Sequence, residues 1–336
     1  MTSALRAVGA ALVHPRSLGR LLQAVVLDVL LLRPLLRQSR LRWVVHMCLF
    51  YGILVLVLLH VFDDQVSAAI FKNYVSTLDP FQSGRHLLGG LVLLGIVLAL
   101  VRRRSDPILR RTASRTDGWL LGLLALIVVS GAFLEASQIL SPTLFDEMVR
   151  DYMGSDDPDE IAPLKALWAT EFQVGFDPMP DTHDAAVLEE GRQLHADYCA
   201  ACHSSPRSAA LSYPLVLAFK PVAGALDRIR LDLWLGNIHF LVSCLALILL
   251  PWTRLFHLLG TPLNMLVAAG GPVAGARPVN RPARRALGLD ACTRCRVCST
   301  RCAVAPIERV LGNLWILPSE KVAGVSRNAA GGLDAA

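Results

Sequence analysis

The apolar positions of this chain gather into long runs set apart by charged stretches. Four runs are long enough to cross a bilayer or nearly so: residues 43–62, 87–101, 119–140 and 235–252, of which the second, at fifteen residues, is short. A fifth run, LLQAVVLDVLLL, is shorter still, carries Asp28 and is flanked by Arg20 and Arg33. It reads as an amphipathic helix lying on the membrane surface. No A-x-A-like cleavage site follows an early apolar core, so the N-terminus is expected to be retained. The pattern predicts an all-α integral membrane protein.

Composition supports that reading. Of the 336 residues, 54% are hydrophobic and 18% charged, and the mean hydropathy of +0.48 is beyond an ordinary soluble domain. Charge then orients the chain. Residues 1–42 and 102–118 hold seven and six Arg against one and two acids, and residues 254–336 hold eleven Lys or Arg against four acids. Residues 141–233 reverse this, with sixteen acids against seven bases. By the positive-inside bias the basic segments and both termini are cytoplasmic and the acidic segment is outside. The net charge of +6 is explained by that bias and calls for no nucleic acid.

The apolar runs carry histidines. His239 and His257 lie eighteen residues apart, which on one continuous helix is five turns, so both rings would leave the same face about 27 Å apart. His46 and His60 in the first run are fourteen apart, about 21 Å along the axis and offset by about 40°. The first and fourth spans run in opposite directions, so His60 meets His239 at the outer level and His46 meets His257 at the inner one. One intramembrane histidine is most simply explained by a hydrogen bond to a neighbouring helix. Four at matched depths suit two b-type haems, each needing two axial nitrogens from facing helices.

Two cysteine clusters place different chemistry on the two sides. Cys199-Ala-Ala-Cys202-His203 has the form of a c-type haem attachment site, with His203 as axial ligand. A Cys199–Cys202 disulfide is the plainer alternative and leaves His203 unexplained. No methionine follows His203 before Met265, so a sixth ligand either lies upstream or is missing: Met148, Met153, Met179, His183 and His195 are available, and Met179, held between two prolines, is preferred. Cys292, Cys295, Cys298 and Cys302 form a C-x2-C-x2-C-x3-C run of the kind that holds a [4Fe–4S] cluster. Four thiolates on zinc are the alternative. Ala303 follows Cys302 where such a run usually has proline, and Cys302 either closes the one cluster or leaves that place to a partner. Cys48 and Cys244 sit in apolar runs and read as small buried side chains.

Arg85 and His86 open the second span and Glu135 closes the third, so a cation, a histidine and a carboxylate crowd the outer rim beside the His60–His239 level. Such groups can hold a quinone carbonyl and move protons. Interface snorkelling by Arg85 and helix capping by Glu135 is the competing explanation.

The histidines eighteen apart, His239 and His257, together with the segment LLPWTRLFHLLGTPLNML, resemble the last haem-bearing span of the respiratory nitrate reductase gamma subunit family, quinol-oxidising dihaem cytochromes b. The first histidine pair departs from it, being closer in that family. VVLDVLLLRPLLRQSRLRWVVHMCLFYG, taken with the C-terminal cysteine run, is similar to the membrane subunits that accompany heterodisulfide-reductase-like proteins, most of all the cytochrome b of the sulfite-reduction-associated (DsrM-type) transmembrane complex. That resemblance implies partners: a cytoplasmic iron–sulfur, heterodisulfide-reductase-like subunit, periplasmic c-type cytochrome and iron–sulfur subunits, and a further membrane subunit.

The expected architecture is a transmembrane dihaem four-helix bundle with an outer c-haem insert and a cytoplasmic iron–sulfur tail. It divides into a cytoplasmic amphipathic segment (1–40), transmembrane helices one to three (41–140), a periplasmic c-haem segment (141–233), transmembrane helix four (234–266) and an iron–sulfur tail (267–336). Its cofactors would be two haem b, one haem c, one [4Fe–4S] cluster and menaquinone or ubiquinone. The expected function is electron transfer between the quinone pool and these centres, in dissimilatory sulfur metabolism. Service to another respiratory reductase, or a haem-based redox sensor or maturation protein, are the alternatives. A sensor would carry an output domain, and no soluble stretch here exceeds the outer segment.

Overall fold

The structure is a computed structural model that describes residues 9, 15–106, 109–110, 115–270, 286–289, 291–292, 297–300 and 302–331. The described residues are helical, with no strand among them. The helices used below are α1 (Pro15–Gln23), α2 (Arg40–His60), α3 (Phe81–Ser105), α4 (Arg115–Leu140), α5 (Pro142–Tyr152), α6 (Pro158–Thr170), α7 (Ala185–Tyr198), α8 (Tyr213–Phe219), α9 (Leu231–Leu249), α10 (His257–Gly270) and α11 (Pro318–Gly331).

Among the described residues four helices are long and apolar enough to cross a membrane: α2, α3, the Gly118–Leu140 part of α4, and α9. The second is not short. It runs 25 residues, because the polar start FQSGRH and the Arg102–Arg104 end are both helical. The fourth ends earlier than hydropathy implies. Helix α9 stops at Leu249, and after a turn and a 3-10 segment at Arg254–Phe256 the chain starts α10 at His257. The stop has a plain cause at Pro251, whose ring disfavours helical backbone at Leu250 and which has no N–H to donate. The expectation that His239 and His257 project from one face of one continuous helix is therefore wrong.

The chain divides into two compact units, one of residues 45–98 and 119–246, the other of 1–44, 99–118 and 247–336. In the first, α2, α3, α4 and α9 carry a helical insert joined to the end of α4. Ser141 caps α5 by accepting from the Leu144 N–H at 3.1 Å, followed by Pro142 at the first helical position. Asp157 and Asp184 cap α6 and α7 in the same way. The insert core is Phe145, Val149, Leu164, Leu167, Trp168, Val174 and Cys199. A second cluster, Ala136, Leu140, Val216 and Ala223, continues it onto α4. Asp227 ties the insert's end to its start, accepting from the hydroxyls of Ser141 and Thr143, the latter at 2.7 Å. Helices α6 and α7 lie so close at Gly191 that a methyl there would stand 2.3 Å from the Pro163 carbonyl oxygen.

In the second unit, α1 continues as a π-helical stretch, Ala24–Leu30. Arg33 pairs with Asp28 at 2.9 Å, Trp43 Nε1 donates to the Leu31 carbonyl at 2.8 Å, and α10 packs against α1. Near the C-terminus, Ser299 Oγ donates to Ser319 Oγ at 2.7 Å and accepts from the Ser319 N–H at 3.0 Å, fixing the start of α11 beside the cysteine segment.

Candidate functional site

The last residue of α2, His60, faces His239 of α9 with ring centroids 6.2 Å apart and planes at 62°. That spacing tests whether a metal could sit between them. Two metal–imidazole bonds of about 2 Å, each extended by roughly 1 Å from nitrogen to ring centre, span roughly 6 Å. The pair fits a bis-histidine iron. His239 is also held by α4, since Ser130 Oγ lies 3.0 Å from its Nδ1 and 3.1 Å from the Ile127 carbonyl.

One helical turn further along α4 stands Glu135. Arg85 donates to its Oε1 at 3.0 Å, and His86 Nε2 lies 2.7 Å from its Oε2, close but off the N–H axis and so not an aligned hydrogen bond. Two groups of the insert complete the cluster. Ser212 Oγ donates to Glu135 Oε2 at 2.5 Å, and the Leu211 N–H donates to His86 Nδ1 at 3.2 Å. Because Nδ1 accepts, the proton of neutral His86 is on Nε2, toward the carboxylate. The three residues expected at the rim are thus brought together. Neither snorkelling nor capping describes them: Arg85 and Glu135 are each only 16% exposed, and they pair across two helices.

In the insert, Cys199 closes α7 and begins a turn in which the Cys202 and His203 N–H groups both donate to its carbonyl at 3.0 Å. Both cysteines are free thiols, Cys199 buried and Cys202 exposed. Burial pushes the Cys199 thiol up to about 11. His203 is held below the ordinary imidazole value, first by burial and then by nearby His195. Trp168 stacks on Phe172 (4.5 Å, 17°) and meets the rings of His203 at 5.4 Å and His195 at 5.8 Å. Two buried polar atoms in this otherwise apolar cluster, Trp168 Nε1 and His195 Nδ1, have no partner. Such orphaned groups are what a prosthetic group with polar edges would satisfy, so the residues fit a haem. Met148 and Met153 pack against this cluster, whereas Met179 is 54% exposed. The motif is fastened to the α2–α3 connection: Thr77 Oγ1 donates to the Cys202 carbonyl at 2.5 Å, Ser204 N to the Thr77 carbonyl at 3.2 Å, and Asp79 N to Ser204 Oγ at 3.0 Å.

His46 is within α2, and His257 opens α10 with its Nδ1 against the Arg254 carbonyl. Cys292 and Cys298 are exposed and Cys302 is half-buried, all three free, while Cys295 lies outside the described residues. Among the described residues no three His, Cys, Asp or Glu side chains converge as a metal centre. Free thiols at this spacing remain a donor set suited to iron–sulfur ligation.

Sequence reasoning missed Ser130, Ser212, the Leu211 amide and Trp168. Only Ser130 left a trace, as a polar residue in the apolar run IVVSGAF.

No protein-family model matches the chain, and no solved structure does. Among curated proteins it is similar to one subunit of the dihydromethanophenazine:CoB–CoM heterodisulfide reductase of Methanosarcina thermophila, at 29% identity over 117 residues. The counterpart in Methanosarcina barkeri is 27% identical over 117 residues, and that in Methanosarcina acetivorans 28% over 123. The matched part is 33% of this chain and 44% of each relative, so the similarity spans under half of the relatives' length.

Proposed function

We propose that the chain is a membrane electron-transfer subunit of a heterodisulfide-reductase-like complex in a bacterial inner membrane, serving dissimilatory sulfur metabolism. The observation that carries the reading is the His60–His239 pair, its ring centroids 6.2 Å apart, with Ser130 Oγ 3.0 Å from Nδ1 of His239. The relatives add direction, since their name describes a reductase joining dihydromethanophenazine to a heterodisulfide. On this reading His60 and His239 hold one haem b, and His46 and His257 a second. Cys199 and Cys202 bind a haem c with His203 as its axial ligand, and Met148 and Met153 compete with Met179 for the sixth place. Cys292, Cys295, Cys298 and Cys302 hold a [4Fe–4S] cluster on the cytoplasmic side. These groups supply one-electron carriers.

The side chains supply placement and proton handling. Menaquinone or ubiquinone binds beside Arg85, His86 and Glu135, near the His60–His239 level. Arg85 orients the Glu135 carboxylate, Leu211 fixes the tautomer of His86, and the carboxylate takes the proton that quinol releases. Partners are a cytoplasmic iron–sulfur subunit, periplasmic c-type and iron–sulfur subunits, and a further membrane subunit. The test is haem content. Purified chain should give one covalent and two extractable haems by pyridine haemochrome analysis, and finding only c-type haem would refute the dihaem reading.

A further inference from the structure

We infer that Ser130 and Gly131 of α4 form the seat that fixes the ring and the tautomer of His239, making them positioning residues for the haem b bound there. The inference rests on the reading of His60 and His239 as ligands, and its geometry comes from a different helix.

Ser130 is buried, and its hydroxyl has one proton and two lone pairs to distribute. Two atoms are within reach: the Ile127 carbonyl oxygen at 3.1 Å, which can only accept and is also an acceptor for the His239 ring, and His239 Nδ1 at 3.0 Å. One arrangement satisfies both. The hydroxyl donates to Ile127 and accepts from His239 Nδ1–H. Nδ1 then carries the ring proton, and the lone pair is left on Nε2, the nitrogen that can bind a metal. Were the hydroxyl to donate to Nδ1 instead, the Ile127 contact would be lost and Nε2 would be protonated and unable to ligate.

Gly131 supplies the space. A methyl added there would come within 3.1 Å of His239 Cε1, tighter than ordinary packing, and touch Nδ1 at 3.5 Å, so the ring lies against bare backbone. The two helices are in register above this point as well, since a methyl at Gly236, three residues before His239, would meet Leu134, three residues after Gly131, at 3.8 Å. Antiparallel helices matched at two successive levels hold the ring in one orientation. An acceptor on the far nitrogen of a ligating histidine raises its basicity and so favours the ferric form of the iron it binds.

The test uses the full chain in its complex, with potentiometric titration of the b-haem α-band and low-temperature EPR of the low-spin ferric signals. Ser130→Ala should keep both extractable haems and move one of them toward the reduced form, by about five-fold in the ferric-to-ferrous ratio at fixed ambient potential, the worth of one neutral hydrogen bond. Ser130→Thr, which retains the hydroxyl, should restore the original ratio, and Gly131→Ala should alter the EPR signal of the same haem. Loss of that haem in Ser130→Ala supports the seat if Ser130→Thr recovers it and overturns it if not. Unchanged titration and EPR in Ser130→Ala and Gly131→Ala, in a protein whose His239→Ala form lacks one b haem, would overturn the seat and leave the ligand assignment standing. Retention of both extractable haems in His239→Ala would overturn the ligand assignment itself.

Discussion

Glu135→Gln isolates the proposed quinone chemistry from the haems, because the residue ligates nothing. The amide keeps the size of the side chain and one acceptor for Arg85, while removing the charge that Arg85, His86 and Ser212 converge on at 3.0, 2.7 and 2.5 Å. A hydrogen bond to a charged group is worth about 1.5–3 kcal/mol, and with Arg85 and Glu135 only 16% exposed little of this is screened away. Loosening the cluster by about 2 kcal/mol is within the stability of a typical domain, so the chain should fold and take up its haems. The kinetic effect is larger. A positioned general base contributes about 100- to 10,000-fold, so reduction of the b haems by quinol should slow at least about 100-fold. Dithionite, which needs no proton acceptor in the protein, should reduce them as before.

The assay is anaerobic stopped-flow reduction of the b-haem α-band by a short-chain quinol, with dithionite-reduced spectra as the integrity check. Arg85→Ala is the companion variant; it leaves the carboxylate without its cationic donor and should slow the entry of electrons similarly. Quinol-driven rates within two-fold of the unmodified protein in both variants would sink the assignment. The basic loop near Arg102 would then be the next place to look.

Three further outcomes can be checked. In chain produced without haem attachment, Cys202 should alkylate at pH 8 while Cys199 resists until the fold is lost, because a buried thiol with a value of about 11 is protonated there and the thiol becomes reactive only as pH rises toward that value; peptide mass spectrometry reads both sites. Gly191→Ala, which sets a methyl 2.3 Å from the Pro163 carbonyl oxygen, should overpack the α6–α7 contact by about 1–3 kcal/mol, and covalent haem on denaturing gels should fall while extractable haem persists. After anaerobic purification the tail should contain iron and labile sulfide; zinc in their place would refute the cluster, and Cys302→Ser distinguishes a self-contained site, which loses its iron, from one completed by another subunit, which keeps it.

What could be read from the sequence was what depends on spacing along the chain. The four apolar runs, the charge reversal over residues 141–233 and the two cysteine motifs are local patterns, and the helices appeared where the runs lay. Boundaries were missed where local chemistry outweighs hydropathy. The start of α3 is polar yet helical because Gln82 and His86 are buried beneath the insert, Ser208 Oγ donating to Gln82 at 3.0 Å. Pro251 ends α9 inside a run that still looks apolar. That break matters for the histidines: the pairing of His60 with His239 needed only that two helices meet at one level, while the placement of His257 relied on helical arithmetic across a proline. The supporting groups were invisible because they come from far away in sequence. Ser130 is 109 positions from His239, Ser212 is 77 from Glu135 and Leu211 is 125 from His86.

Those separations also bear on whether the insert is an independent module. Its connections to the helices run through polar seams: Thr77 and Asp79 against Cys202 and Ser204, Gln82 against Ser208, His86 against the Leu211 amide, and Glu135 against Ser212. Several of the insert's contributions are backbone groups, which its own sequence can vary without losing. The contributions from α3 and α4 are side chains in largely buried positions, Gln82, His86 and Glu135. Without the insert, His86 Nδ1 and one oxygen of Glu135 would each lose a donor at the end of the bundle, and a buried polar group left unpaired costs about 1–3 kcal/mol. A version of this chain that lacks residues 141–230 should therefore need different residues at 86 and 135. The c-haem motif and the proposed quinone residues are built as one structure, and a substitution at either should be felt at the other through these hydrogen bonds.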